Sequence, residues 1–347
     1  MSRSFILNFE SFEGFTPRIP ATLLCVAAVI LGFEFVSRLT PEEYLVPGNS
    51  RQGEIAFMKH DVLSRFEAPQ IILLGSSRIR RAVVPKLLDE KLDLPRNSTV
   101  NLGLASGRIF EALFLYEANR EKLGAAKLVV LNIDEWQLSS GWHLGSLYEM
   151  HAPWRERLEF SGNLRSRLVL DGLFTLRHKL RLLPSALSHR FGHKSDRLQL
   201  SIDANNQVLP PLRKSREIDD MARYITEMDA FYSNFEISPV MQNHIEQLSI
   251  QIAAAGGKLV LMQLPNRAMY QKEVDRFKKD EYTQHIKALT ELANRLGLPL
   301  FIYNQPSECG LNDANFEDYG HMNPAGAQIF TRFLAELIRK EKWLQKP

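Results

Sequence analysis

Two consecutive serines, Ser76 and Ser77, follow the apolar run Ile71–Leu74 and a glycine, Gly75. A serine where a parallel strand turns into a helix sits at the carboxyl edge of the sheet, where open α/β folds hold their ligands. Backbone N–H groups at such a helix start can stabilise a developing oxyanion. Taken alone, Gly-Ser-Ser reads sooner as a structural turn, because Gly and Ser build many of these. Much further along, Asp318 and His321 stand three apart on the segment that leads into a last helix. A tight turn at that spacing can bring the carboxylate to the imidazole, fix its tautomer and stabilise the imidazolium.

Two more segments carry candidate groups. The run Asn101-Leu102-Gly103-Leu104-Ala105-Ser106-Gly107 offers Gly103, where a backbone N–H can approach a substrate closely. It lacks the G-x-G-x-x-G spacing of a dinucleotide site. The run Leu131-Asn132-Ile133-Asp134-Glu135-Trp136 offers Asn132, either as an amide donor to an oxyanion or as a loop cap. Trp136 reads as a sugar-stacking platform or, the favoured alternative, as a core aromatic. Arg78, Arg80 and Arg81 follow the serines and read either as contacts to an anionic polymer or as a solvated helix start. His189 and His193 are four apart, but Gly192 intervenes and no H-E-x-x-H pattern is present. Neither a metal nor a cofactor is expected.

These groups need a scaffold, and the hydrophobic pattern supplies one. Five apolar runs at 71–74, 99–102, 128–132, 259–263 and 300–303 alternate with helical patterns at 109–122, 240–255 and 282–296. Continuous apolar strands suit a sheet covered on both faces. The fold class expected is three-layer α/β/α with a parallel five-stranded sheet, flavodoxin-like in its layering. Asn323 and Pro324 predict the start of a last helix, whose apolar face is Ile329, Phe330, Phe333, Leu334 and Leu337.

One interval breaks the alternation. Roughly 125 residues separate the third and fourth strands, several times a usual crossover. A helical insertion at about 138–235 is expected there. Its stretch 151–194 carries nine Lys/Arg against Glu156, Glu159 and Asp171, with leucines interleaved. That pattern is an amphipathic helix, either a solvated cap or a surface attracted to anionic headgroups or polymer.

Composition narrows the classes further. Of 347 residues, 45% are apolar and 24% charged, which describes a globular chain and not a disordered or polytopic one. Lys plus Arg is 43 against 40 acids, a net charge of +3, which gives no sign of a nucleic-acid binder. Two cysteines, Cys25 and Cys309, cannot form a disulfide framework or a multi-cysteine zinc site. Residues 19–37 are almost wholly apolar, with Glu34 as their single charge. As a helix they reach roughly 28 Å, close to a bilayer core of about 30 Å. They are expected to be a transmembrane signal anchor, with 1–18 cytoplasmic, 38–69 a membrane-proximal linker and 70–347 the α/β domain outside. Arg3 and Arg18 before the span and Arg38 after it give only a slight positive-inside bias.

In this order, the serine block at Gly75-Ser76-Ser77, the glycine at Gly103, the asparagine at Asn132 and the terminal Asp318/His321 pair resemble the SGNH hydrolase superfamily (GDSL-like). The resemblance covers roughly residues 70–341 without the insertion. It implies Ser77 as nucleophile, His321 as base and Asp318 as the acid that orients it. It also implies oxyanion donors at the Ser77 N–H, the Gly103 N–H and the Asn132 side chain, with Arg78 and Trp136 as candidate substrate contacts. The sequence departs from the family at Ser76, where an Asp is usual, and at Val130, where a Gly would precede the asparagine, a role that Asp134 or a backbone group could take instead. A membrane segment followed by Gly-Ser-Ser looks most like the DltD-like and alginate O-acetyltransferase-like branch. That likeness implies a membrane-bound O-acyltransferase partner, a polysaccharide or other surface polymer as acceptor, and an extracytoplasmic, periplasmic-side location. An extracytoplasmic carbohydrate esterase or deacetylase, or a non-catalytic scaffold or polymer-binding module, is the alternative.

Overall fold

Strand β1 (Ile71–Leu74) is buried along its whole length, and its side chains divide between two separate apolar layers. Ile72 and Leu74 point into one, Ile71 and Leu73 into the other. The two-residue period repeats in β3 (Leu128–Asn132), where Val129 and Leu131 face the first layer and Leu128 and Val130 the second. A sheet that is apolar on both faces must be covered on both, and each buried Leu, Ile or Val contributes about 1.5–3 kcal/mol.

The computed structural model describes residues 21–39, 51–140, 201–203, 207–209, 229, 231–232 and 235–344. Among them, β1 and β3 are joined by β2 (Thr99–Asn101), β6 (Lys258–Gln263) and β7 (Leu300–Ile302) in one five-stranded sheet of order β2-β1-β3-β6-β7. Every pairing in that sheet is parallel. On one face lie α5 (Ile109–Ala118), α7 (Pro239–Ala254) and the inner side of α9 (Lys279–Leu296). On the other lie α3 (Ser77–Ala82), α4 (Pro85–Lys91) and α10 (Pro324–Lys340). The remaining helices are α1 (Ala21–Leu39), α2 (Arg51–Phe57), α6 (Arg120–Leu123) and α8 (Ala268–Phe277). The architecture is the three-layer α/β expected, and each strand begins and ends within a residue of its sequence-based limits.

The chain moves from β1 outward to β2 and then returns to β3 on the other side of β1. Strand order therefore reverses between β1 and β3, and a crevice opens at their carboxyl ends. Caps fix the turns around it. Ser76 caps α3 by accepting from the Arg78 N–H, and Asn323 caps α10 by accepting from the Gly326 N–H at 3.0 Å, with Pro324 in the first turn.

Two expectations change. Part of the segment expected as a linker at 38–69 belongs to the body: α2 and the turns after it bury Ile55, Met58, Val62, Leu63 and Phe66 in the first apolar layer. The expected insertion at 138–235 starts and ends side by side, because Ser139 bridges Ile237 and the Ser140 N–H donates to the Glu236 carbonyl at 2.7 Å. Such adjacency lets a long excursion leave the sheet undisturbed. The described part of it contains an antiparallel pair, β4 (Ser201–Ile202) with β5 (Val208–Leu209), where helix alone was expected. The basic stretch 151–194, His189, His193 and residues 1–18 lie outside the described residues. Helix α1 falls where the membrane span was expected, with Leu23, Leu24, Val29, Leu31, Phe33 and Phe35 all exposed. Its described side chains run from Thr22 to Phe33 and resume at Phe35, and among the described residues no helix is long and apolar enough to cross a membrane.

Candidate active site

The turn after β1 sets the serine. Gly75 adopts φ 128°, a conformation that favours glycine, and a Cβ there would stand 2.6 Å from the Asn132 carbonyl oxygen. Register explains the crowding, since Leu74 pairs with Leu131 and the next residues meet across the crevice. The two serines then part company. Ser76 is buried with its oxygen used as the cap of α3, whereas Ser77, half-buried, turns its oxygen to His321. The ambiguity between adjacent hydroxyls is thus resolved by helix geometry: a cap and a first-turn residue face different ways.

Ser77 Oγ lies 2.7 Å from His321 Nε2, and His321 Nδ1 lies 2.7 Å from Asp318 Oδ2. Asp318 Oδ1 also accepts from the Gly320 N–H at 3.0 Å and the His321 N–H at 2.8 Å. A carboxylate only accepts, so the imidazole N–H faces Asp318 and Nε2 is left to accept from the serine. Burial opposes the charge on Asp318, but the His321 ring and the two backbone donors outweigh it and hold the carboxyl well below its usual range. The loop is closed by a bridge between Phe316 and Met322 and by the Arg267 N–H donating to the Tyr319 carbonyl at 2.7 Å.

The other expected residues fall differently. The Gly103 N–H donates to Asn101 Oδ1 at 3.2 Å, and so it is not aimed at an oxyanion here. The glycine is required for another reason: a Cβ there would lie 2.6 Å from the Ser76 carbonyl oxygen. Asn132 Nδ2 donates to Asp134 Oδ1 at 2.8 Å and to Ser76 Oγ at 3.5 Å, and the residue is fully buried. It braces the turn and is not a free donor. The Ser77 N–H lies in the first turn of α3, where no preceding turn offers it a carbonyl.

All three arginines after the serine are paired with acid, and for buried Arg78 and Arg80 this corrects the solvated-start reading, whereas Arg81 stays partly exposed. Arg78 is buried and donates to Asp134 Oδ1 at 3.1 Å, Glu135 Oε2 at 3.0 Å and the Leu264 carbonyl at 2.7 Å. Arg80 is buried against Glu54 of α2, and Arg81 pairs with Glu317 in the His321 loop. Arg78, expected as a substrate contact, is thus engaged inside the protein. Trp136 is also buried, stacked on Phe231 with ring centroids 5.9 Å apart, as the core reading has it. The stack continues through Tyr319, 5.9 Å from Phe231 and 6.5 Å from His321, so an aromatic wall reaches the imidazole.

Several contributors escaped the sequence analysis. Asn101 ends β2 and ties the end of α3 through donation to the Ile79 carbonyl at 3.0 Å and the Val83 carbonyl at 3.3 Å. Glu135, Asn266 and Glu54, with Asp134, form buried polar links around the crevice, of which the sequence singles out Asp134 alone. Their one sequence signal is position, each polar group standing directly after a strand or beside an apolar helix face. Among the described residues no three His, Cys, Asp or Glu side chains converge as a metal site.

No family model matches the chain, and no curated protein does. Among solved structures it is similar to a candidate acylhydrolase of Bacteroides fragilis, with 12% identity, TM-score 0.39 and coverage of 84% of this chain and 98% of that one. It is also similar to a GDSL-like lipase of Bacteroides thetaiotaomicron, with 10% identity, TM-score 0.38 and coverage of 83% of this chain and 98% of that one.

Proposed function

We propose that the chain is an SGNH-type serine enzyme that moves an acyl group through an ester on Ser77. One observation carries the reading: residues 244 apart in sequence put a hydroxyl, an imidazole and an ionised carboxylate in line at 2.7 Å steps. His321 Nε2 takes the Ser77 proton as Oγ attacks the acyl carbonyl, and Asp318 stabilises the imidazolium that results. The tetrahedral oxyanion is met by the Ser77 N–H. As the intermediate collapses, Nε2 returns its proton to the leaving alcohol. A second hydroxyl then repeats the steps in reverse and carries the acyl group away.

The acceptor is proposed to be a sugar hydroxyl of a cell-surface polymer, with a membrane-bound O-acyltransferase as acyl donor and the body on the periplasmic side of the cytoplasmic membrane. The apolar residues exposed on α1 and the family resemblance support this assignment. With water as acceptor the same machinery is an esterase. A scaffold without catalysis is the second reading, favoured by the engagement of the Gly103 N–H and the Asn132 amide inside the protein.

A fluorophosphonate probe tests the central step. Wild type is expected to label and Ser77→Ala is not; a folded wild type that neither labels nor cleaves a small acyl ester favours the scaffold. Acceptor identity is tested by mass spectrometry of surface-polymer acylation with and without the protein. Removal of residues 1–40 is expected to leave a soluble, folded body, and an insoluble product would make the apolar run part of the core.

A further inference from the structure

Arg78 follows the nucleophile directly, yet its side chain leads away from the solvent-facing crevice into the protein. Its guanidinium reaches Asp134 and Glu135, just after β3, and the Leu264 carbonyl, just after β6. Glu135 in turn accepts from Asn266 Nδ2 at 3.2 Å, extending the link along the β6 exit. Above this network lies the His321 loop, and it rests there without a side chain between: a Cβ added to Gly320 would meet Arg78 Nε at 3.1 Å and Asn266 Oδ1 at 3.5 Å. One planar group at the start of α3 thus ties the β3 exit to the β6 exit and lies beside the glycine of the loop carrying Asp318 and His321. Burial disfavours its charge, but Asp134 and Glu135 more than compensate and keep it positive.

We infer that Arg78 is a positioning residue, whose bonds to Asp134, Glu135 and Leu264, beside the space a side chain at Gly320 would fill, set the separation of Ser77 from His321. The inference rests on the Ser77–His321–Asp318 reading. The physical reason is rigidity: two halves of a relay borne on separate loops need a common support, and a misplacement of about 1 Å at a reacting pair costs about 100-fold in rate. Guanidinium suits the task because its flat fork serves several acceptors in fixed directions, which an ammonium point charge cannot do.

Three variants test it: Arg78→Met, Arg78→Lys and Gly320→Ala. Each is measured with a small acyl ester and examined crystallographically for the distance between Ser77 Oγ and His321 Nε2. Arg78→Met is expected to lower kcat about 100-fold with KM changed less than about three-fold, and to lengthen that distance beyond hydrogen-bond reach. Arg78→Lys is expected to rescue little. Gly320→Ala, which keeps every charge, is expected to lower kcat about ten-fold and to cost almost nothing more once Arg78 is Met, because the crowding is then gone. A folded Arg78→Met with kcat within about three-fold of wild type and the serine still on the imidazole overturns the inference, as does a fully additive Gly320→Ala. If Arg78→Met does not fold, Gly320→Ala alone decides on the same two readouts. A wild type without turnover counts against the proposed function, and the crystallographic distance then still decides for or against the role of Arg78.

Discussion

Two acid–base systems flank Ser77, and they are built for opposite ends. In the relay, the His321 and Asp318 side chains are 20% and 38% exposed. In the brace, the Arg78 side chain is 5% exposed and Asp134 and Glu135 are 1% exposed. Both are made of carboxylates meeting nitrogen bases within 3.1 Å. Exposure separates them: a group that must gain and lose a proton needs access to substrate, and one that must hold a shape gains from exclusion of water. The difference teaches that charge near a candidate nucleophile is no guide to catalytic role until its burial is known.

The comparison can be broken most sharply at the relay. Ser77→Ala and His321→Ala are each expected to reduce kcat/KM by about 1,000-fold or more while thermal stability stays within about 0.5 kcal/mol. A similar loss of stability would mean the relay is structural. Asp318→Asn is expected to lose about 100- to 10,000-fold in kcat, since an amide presents the wrong group to Nδ1. The brace is expected to behave inversely: Arg78→Met leaves two buried carboxylates uncompensated and destabilises by about 3–5 kcal/mol in denaturant titration. A neutral result there would erase the distinction between the two systems.

Dependence on pH sharpens the contrast. Asp318 is depressed in the folded state, so its contribution to stability is present above the unfolded carboxylate pKa of about 3.9 and fades only as pH falls through its lower folded value. Acid inactivation at milder pH is therefore not expected to come from Asp318. His285, away from the relay, gives a separate effect at milder pH. Its ring is fully buried with Nε2 at 3.0 Å from Gln263 Oε1, and burial pushes its pKa down to about 3. The unfolded ring takes a proton near pH 6.5, so stability falls by up to about 1.4 kcal/mol per pH unit between there and about 3. Urea titrations of His285→Gln are expected to show a flatter slope over that window.

Much of the scaffold is legible in the chain because its cause is local. Ile71–Leu74 and Leu128–Asn132 are buried on both faces, as unbroken apolar runs require, and Asn323-Pro324 starts α10 as a cap followed by proline does. The relay is legible to the level of residue types, since Asp318 and His321 share one tight turn and Ser77 opens a helix. The roles of Gly103 and Asn132 were not, because an N–H or an amide looks the same in sequence whether it faces a cavity or a neighbour. Asn101 and Asp134 decide that matter here by taking those donors.

The amino-acid order alone determined the layered sheet, the limits of its strands and the candidate hydroxyl, imidazole and carboxylate, since periodicity, capping and turn spacing act over a few residues. The tertiary structure alone decided that Ser77 and not Ser76 meets the imidazole, that Arg78 and Arg80 are buried against Asp134, Glu135 and Glu54 while Arg81 pairs with Glu317 at the surface, and that α2 belongs to the body. Those outcomes depend on which loops the parallel crossovers bring to the crevice between β1 and β3, and a contact across 56 or 236 residues leaves no mark on either neighbourhood.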